Sequence, residues 1–115
     1  MKVTGIGGVF FRAKDPDALA KWYEEQLGID GMQWVQQQGP TAFVPFPADT
    51  EYFGSASQNF MLNFRVDDLD SMLHQLRANH VTILKEVEEQ AGVGRFASIE
   101  DPEGNRIELW EPQPD

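Results

Sequence analysis

The sequence predicts an α+β domain built from two copies of one strand–helix–strands module, and three observations carry that prediction. The first is an internal repeat. Gly8–Leu19 laid over Met61–Met72 at a constant offset of 53 makes four positions identical: Phe11/Phe64, Arg12/Arg65, Asp15/Asp68 and Asp17/Asp70. The second is that each copy passes from an apolar-rich run through a polar break into helical spacing. The third is that strand-like runs separated by turn residues follow each predicted helix. Two copies are too few for a solenoid, so the halves are expected to pair with each other.

The first helix has clear punctuation. Asp15 suits the N-cap, Pro16 the first helical position and Gly28 a left-handed C-terminal cap. Between them Leu19, Trp22, Tyr23 and Leu27 form a stripe at three-to-four spacing. The second helix is expected from Asp67 or Asp68 to about Asn79-His80, with Leu69, Met72, Leu73 and Leu76 on its buried face. Strand signals follow over Met32–Gln37 and Thr41–Phe46 in the first half, split by Gly39-Pro40. In the second half they cover Thr82–Val87, Arg95–Glu100 and Arg106–Glu111, the last two joined by the turn Asp101-Pro102-Glu103-Gly104-Asn105. Each half reads roughly as βαβββ. The single domain, 1–115, divides into module one at about 1–46, a linker at about 47–57 and module two at about 58–115.

Composition excludes several classes of function. A chain of 115 residues supports one core. No apolar stretch approaches the ~20 residues of a membrane span, and Met1-Lys2-Val3-Thr4 lacks the apolar segment of a secretion signal, so a cytoplasmic protein is expected. With no cysteine there is no disulfide framework, thiolate metal site or cysteine nucleophile. Nine basic against nineteen acidic residues give a net charge of −10 without any basic run, which argues against nucleic acid. No Ser-His-Asp arrangement, phosphate-binding Gly loop or paired catalytic carboxylates can be read.

Strand alternation separates two faces. Val9, Phe11 and Ala13, then Leu62, Phe64 and Val66, then Ile107 and Leu109 form uniformly apolar sets that should meet the helices. The opposite sets, Gly8, Phe10 and Arg12, then Met61, Asn63 and Arg65, then Arg106, Glu108 and Trp110, mix charge with large aromatics. That mixed face is either a solvated outer surface or the lining of a concave pocket. The equivalent placement of Arg12 and Arg65, together with Phe10 and Trp110, favours the pocket.

Val9-Phe10-Phe11-Arg12-Ala13-Lys14-Asp15, the pairs Trp22-Tyr23 and Leu27-Gly28, Met61 to Asp68, and above all the closing Phe96–Trp110 run with Asp-Pro-Glu-Gly-Asn-Arg-Ile-Glu-Leu together resemble the vicinal oxygen chelate superfamily, the glyoxalase, bleomycin-resistance and extradiol dioxygenase group. The resemblance spans nearly the whole chain. It implies two βαβββ modules forming a curved, cup-shaped mixed sheet with helices on its outer face, often in a homodimer that completes the cavity. Metal-using relatives commonly carry ligands at four positions. Here these match Gly8, Phe43 or Val44, Met61 and Glu108, so Glu108 alone is a plausible donor. His74 falls off the apolar stripe of its helix, His80 suits a helix cap, and Glu51 reads as a loop charge.

The resemblance therefore implies a bleomycin-resistance-like protein that binds a small organic molecule in the cup with no metal and no other cofactor. Phe10, Trp34, Phe43 and Trp110 would supply walls, and Arg12, Asn63, Arg65, Arg106 and Glu108 would orient polar groups. Two alternatives stand beside it: a metal-dependent glyoxalase-like lyase or dioxygenase, and a non-catalytic dimerisation module.

Overall fold

Residues 1–114 are described by the structure, a computed structural model. Each helix begins on the side chain that the repeat singled out. In α1 (Pro16–Leu27) Asp15 accepts from the Ala18 amide at 3.1 Å, and in α2 (Leu69–Ala78) Asp68 accepts from the Ser71 amide at 3.1 Å. Both carboxylates thus satisfy amides that a helix start leaves without partners. Gly28 closes α1 in the left-handed region at φ 71°, donating to Glu24 O. His80 follows α2 at φ 62°, as a cap residue would.

The strands are β1 (Leu62–Arg65), β2 (Thr82–Gln90), β3 (Gly94–Glu100) and β4 (Arg106–Pro112), in the spatial order β1-β4-β3-β2. β1 runs parallel to β4, while β3 is antiparallel to both β4 and β2, so the sheet is mixed and open. Register shifts at Ile83/Lys85 and Lys85/Glu88 bend β2. Alternation divides the sheet as expected. Ala97, Ile99, Ile107 and Leu109 are buried with Leu69, Leu73 and Leu76 of α2 and with Leu19 and Tyr23 of α1. Each fully buried leucine contributes on the order of 1.5–3 kcal/mol by leaving water.

The first half differs from its sequence reading in one respect. Its helix forms, but among the described residues 1–61 no strand is paired, so the expected runs at Met32–Gln37, Thr41–Phe46 and the repeat of β1 find no ladder within this chain. A strand needs a neighbour to hold its amides, and periodicity alone does not name that neighbour. Large apolar side chains in these runs stay open to solvent, Phe10 at 93%, Met32 at 93% and Val35 at 90%.

Polar contacts add to the apolar packing that ties α1 to the second half. Asp101, 3% exposed, accepts from Tyr23 Oη at 2.7 Å, from the Glu103 and Asn105 amides at 2.9 and 3.0 Å, and from Asn105 Nδ2 at 2.7 Å. The Glu103 carboxylate then receives the Lys14 and Asp15 amides at 2.6 and 3.0 Å, at the entrance to α1. Burial first, and then the Asp101 partner, push the Tyr23 phenol far above its ordinary pKa, so it remains a donor.

Asp101→Ala is expected to cost about 3 kcal/mol, because the buried Tyr23 hydroxyl and three half-buried donors of the turn lose one acceptor. Urea unfolding measures that loss, and amide exchange should accelerate first in α1.

Candidate functional site

The sheet face opposite the helices collects the polar side chains. β4 contributes Arg106, Glu108 and Trp110, and register sets Asn63 and Arg65 of β1 beside Glu108 and Trp110. On the other flank Ser98 lies across from Glu108, and Phe96 from Trp110. The Phe96 and Trp110 rings stack with centroids 6.0 Å apart and planes within 2°, a flat aromatic wall. The Trp110 indole N–H is spent on Val93 O at 3.0 Å, which fixes the orientation of the ring.

Glu108 is the centre of this face and is only 7% exposed. One carboxylate oxygen accepts from Asn63 Nδ2 at 2.6 Å, and the other accepts from Tyr52 Oη. A carboxylate so enclosed survives only with such donors. Tyr52 comes from the segment between the modules, steadied by stacking on Phe46 at 5.8 Å. The Arg106 guanidinium lies over the Tyr52 ring, 5.6 Å from its centroid, and donates to Ser98 Oγ at 3.2 Å. Burial, and then the Glu108 bond, push the Tyr52 phenol up to about 12, partly offset by Arg106.

Two cavities border this face. The larger, about 250 Å3, is lined by Phe10, Arg12 and Arg106 among others. The smaller, about 130 Å3, is lined by Trp34, Asn63, Arg65 and Trp110. In the smaller cavity Arg65 holds the first half in place by donating to Pro40 O at 3.0 Å and Gln37 O at 2.9 Å. Eight of the nine side chains singled out from sequence thus fall into two groups, with Glu108 joined to the second through Asn63. Phe43 belongs to neither and is 85% exposed. Tyr52, Ser98 and Phe96 were missing from the sequence reading. Alternation along Phe96, Ser98 and Glu100 marks two of them, whereas nothing periodic marks Tyr52.

The donor set does not fit a divalent cation. Gly8 has no side chain, and Phe43, Val44 and Met61 offer no hard donor, which leaves Glu108 as the single carboxylate at these positions. Among the described residues no group of three or more His, Asp or Glu is placed to hold a metal.

A two-helix α+β domain with an open, curved mixed sheet and a polar inner face is the architecture of the vicinal oxygen chelate superfamily. The chain belongs to its glyoxalase-like domain family, whose pattern residues 23–113 match. Solved structures of the same fold include TnmS3, an antibiotic binding protein from Streptomyces sp. CB03234, with 23% identity, a TM-score of 0.68 and coverage of 98% of this chain and 99% of that one. A member of the glyoxalase/bleomycin resistance protein/dioxygenase superfamily from Sphaerobacter thermophilus is 20% identical, with a TM-score of 0.65 over 95% and 98% of the two chains. A domain of the same description from Frankia sp. EAN1pec is 16% identical, with a TM-score of 0.66 over 97% and 100%. No curated protein matches significantly by sequence.

Tyr52→Phe keeps the stack on Phe46 and removes one donor from Glu108, so a loss of about 1–2 kcal/mol is expected at neutral pH. Because folding raises this phenol's pKa, its contribution is complete below about pH 10 and is lost as pH rises through about 12. The stability gap between wild type and Tyr52→Phe should therefore narrow from pH 10 to 12, as read by denaturation at each pH.

Proposed function

We propose that this protein binds a small organic molecule on the inner sheet face without a metal, and that it does so as a homodimer in the cytoplasm. The observation that carries the reading is the pairing of a flat Phe96–Trp110 wall with a buried Glu108 acceptor on one strand face. Such a wall rewards a planar ring, and the carboxylate orients a hydrogen-bond donor or cationic group on it. The chain's net charge of −10 draws a cation toward the site. The description of TnmS3 as an antibiotic binding protein is consistent in kind.

The unpaired first half supports the dimer. Val3, Phe10, Met32, Val35 and Phe43 are each at least 85% exposed, a density of apolar surface that isolated soluble chains avoid. A second copy supplies a place to bury it and to give the unpaired runs their ladders. Metal-dependent lyase or dioxygenase chemistry is the competing reading; it needs ligands at positions occupied here by Gly8 and Met61.

An aminoacridine in chelator-treated buffer should bind with micromolar affinity and quench tryptophan fluorescence, and Trp110→Ala or Glu108→Gln should weaken it about tenfold or more. Lack of binding, or stoichiometric metal retained through dialysis and lost in Glu108→Ala, overturns the metal-free reading. Light scattering should report twice the 13.0 kDa chain mass; a monomer at micromolar concentration removes the dimer.

A further inference from the structure

The charge pattern of the arginines distinguishes the larger cavity from the face around Glu108. The chain has five arginines among nineteen acidic residues, an excess of acid that makes ion pairing easy. Arg77 pairs with Glu86, and Arg95 with Asp70 and Glu111. Among the described residues Arg12, Arg65 and Arg106 have no carboxylate within 4.0 Å, and all three line a cavity. Arg65 is occupied by two backbone carbonyls. Arg12 and Arg106 share the larger cavity, whose lining contains no acidic residue at all.

Arg106 is held there by its own backbone. Gln58 receives the Arg106 amide on Oε1 at 2.9 Å and donates from Nε2 to the Arg106 carbonyl at 3.0 Å, pinning the residue at the start of β4. Its guanidinium uses one terminal nitrogen on Ser98, while Nε is buried with no hydrogen-bond partner among the described residues. A buried charged donor without an acceptor is costly, and an oxygen anion removes that cost. The rest of the lining is uncharged: Phe10, Phe11, Phe60 and Leu62 supply an apolar wall, and neutral polar side chains such as Asn59 and Asn105 complete it.

We propose that this cavity is a carboxylate site, taking a compact aromatic or branched carboxylic acid whose anion meets Arg106 and Arg12 and whose body lies against the phenylalanines. The planar guanidinium fork matches a carboxylate, and a volume of about 250 Å3 suits one ring with a short acidic arm. The inference builds on the small-molecule reading and assigns the ligand's chemistry at the end of the sheet remote in polarity from Glu108.

Calorimetric titration of the full chain with benzoate and phenylacetate, with benzamide and inorganic phosphate as comparators, tests it. Saturable binding of a carboxylate at one per chain is expected, with benzamide and phosphate about tenfold weaker or worse, and a similar loss for Arg12→Gln and Arg106→Gln. Arg12 is exposed, so Arg12→Gln remains a valid test if Arg106→Gln fails to fold. Benzamide binding equal to benzoate, phosphate binding as tightly, indifference to Arg12→Gln, or no saturable carboxylate binding each overturns the proposal. Aminoacridine binding that persists while benzoate fails sinks this site alone, and the converse result sinks only the reading around Glu108.

Discussion

The buried carboxylate of Asp101 is the polar centre of the contact between the two halves of the chain. It sits 3% exposed in the turn between β3 and β4 and gathers the Tyr23 hydroxyl from α1 together with the amides of its own turn. Charge in such a place is tolerable only when donors converge on it, and four do. The neighbouring Glu103 extends the same device by receiving two amides at the mouth of α1. The first part of the chain's most distinctive run, Asp101 to Asn105, therefore acts as a structural clasp, and the residues of the proposed binding face, Arg106 and Glu108, come after it.

From that clasp the rest follows by register. With α1 and α2 covering one side of the sheet, every second residue of β1, β3 and β4 is released to the other side. The released set has two electrostatic characters within one strand. Around Glu108 there is an acceptor surrounded by neutral donors, and around Arg106 there is a cation facing a cavity without acid. Adjacent regions of opposite polarity select by mismatch as much as by attraction, since a ligand group placed at the wrong end leaves a buried charge unsatisfied.

Much of this was legible in the residues. Asp15 and Asp68 announced both helix starts, and alternation in Ile107–Trp110 separated core from inner face without error. Glu108 was recognisable as the one carboxylate in a ligand-like position. Tyr52 was not, because its partner lies 56 residues away and the segment around it has no period to read. Phe43 and Trp34 stand in runs with strand character, yet local character does not say which backbone a strand will join. Phe43 consequently points into solvent, while Trp34 meets Phe64 edge-on, centroids 6.1 Å apart, and lines the smaller cavity. Elements stabilised by their own neighbours were readable; those needing a distant or separate partner were not.

The two outer strands of the sheet are not alike. β2 is kinked by its irregular register and studded with Lys85, Glu86, Glu88 and Glu89, features that repel an incoming backbone. β1 is short, straight in register and carries a single charge, Arg65. A sheet armed on one margin leaves only the other open to a further backbone, an arrangement that works against open-ended stacking into fibres.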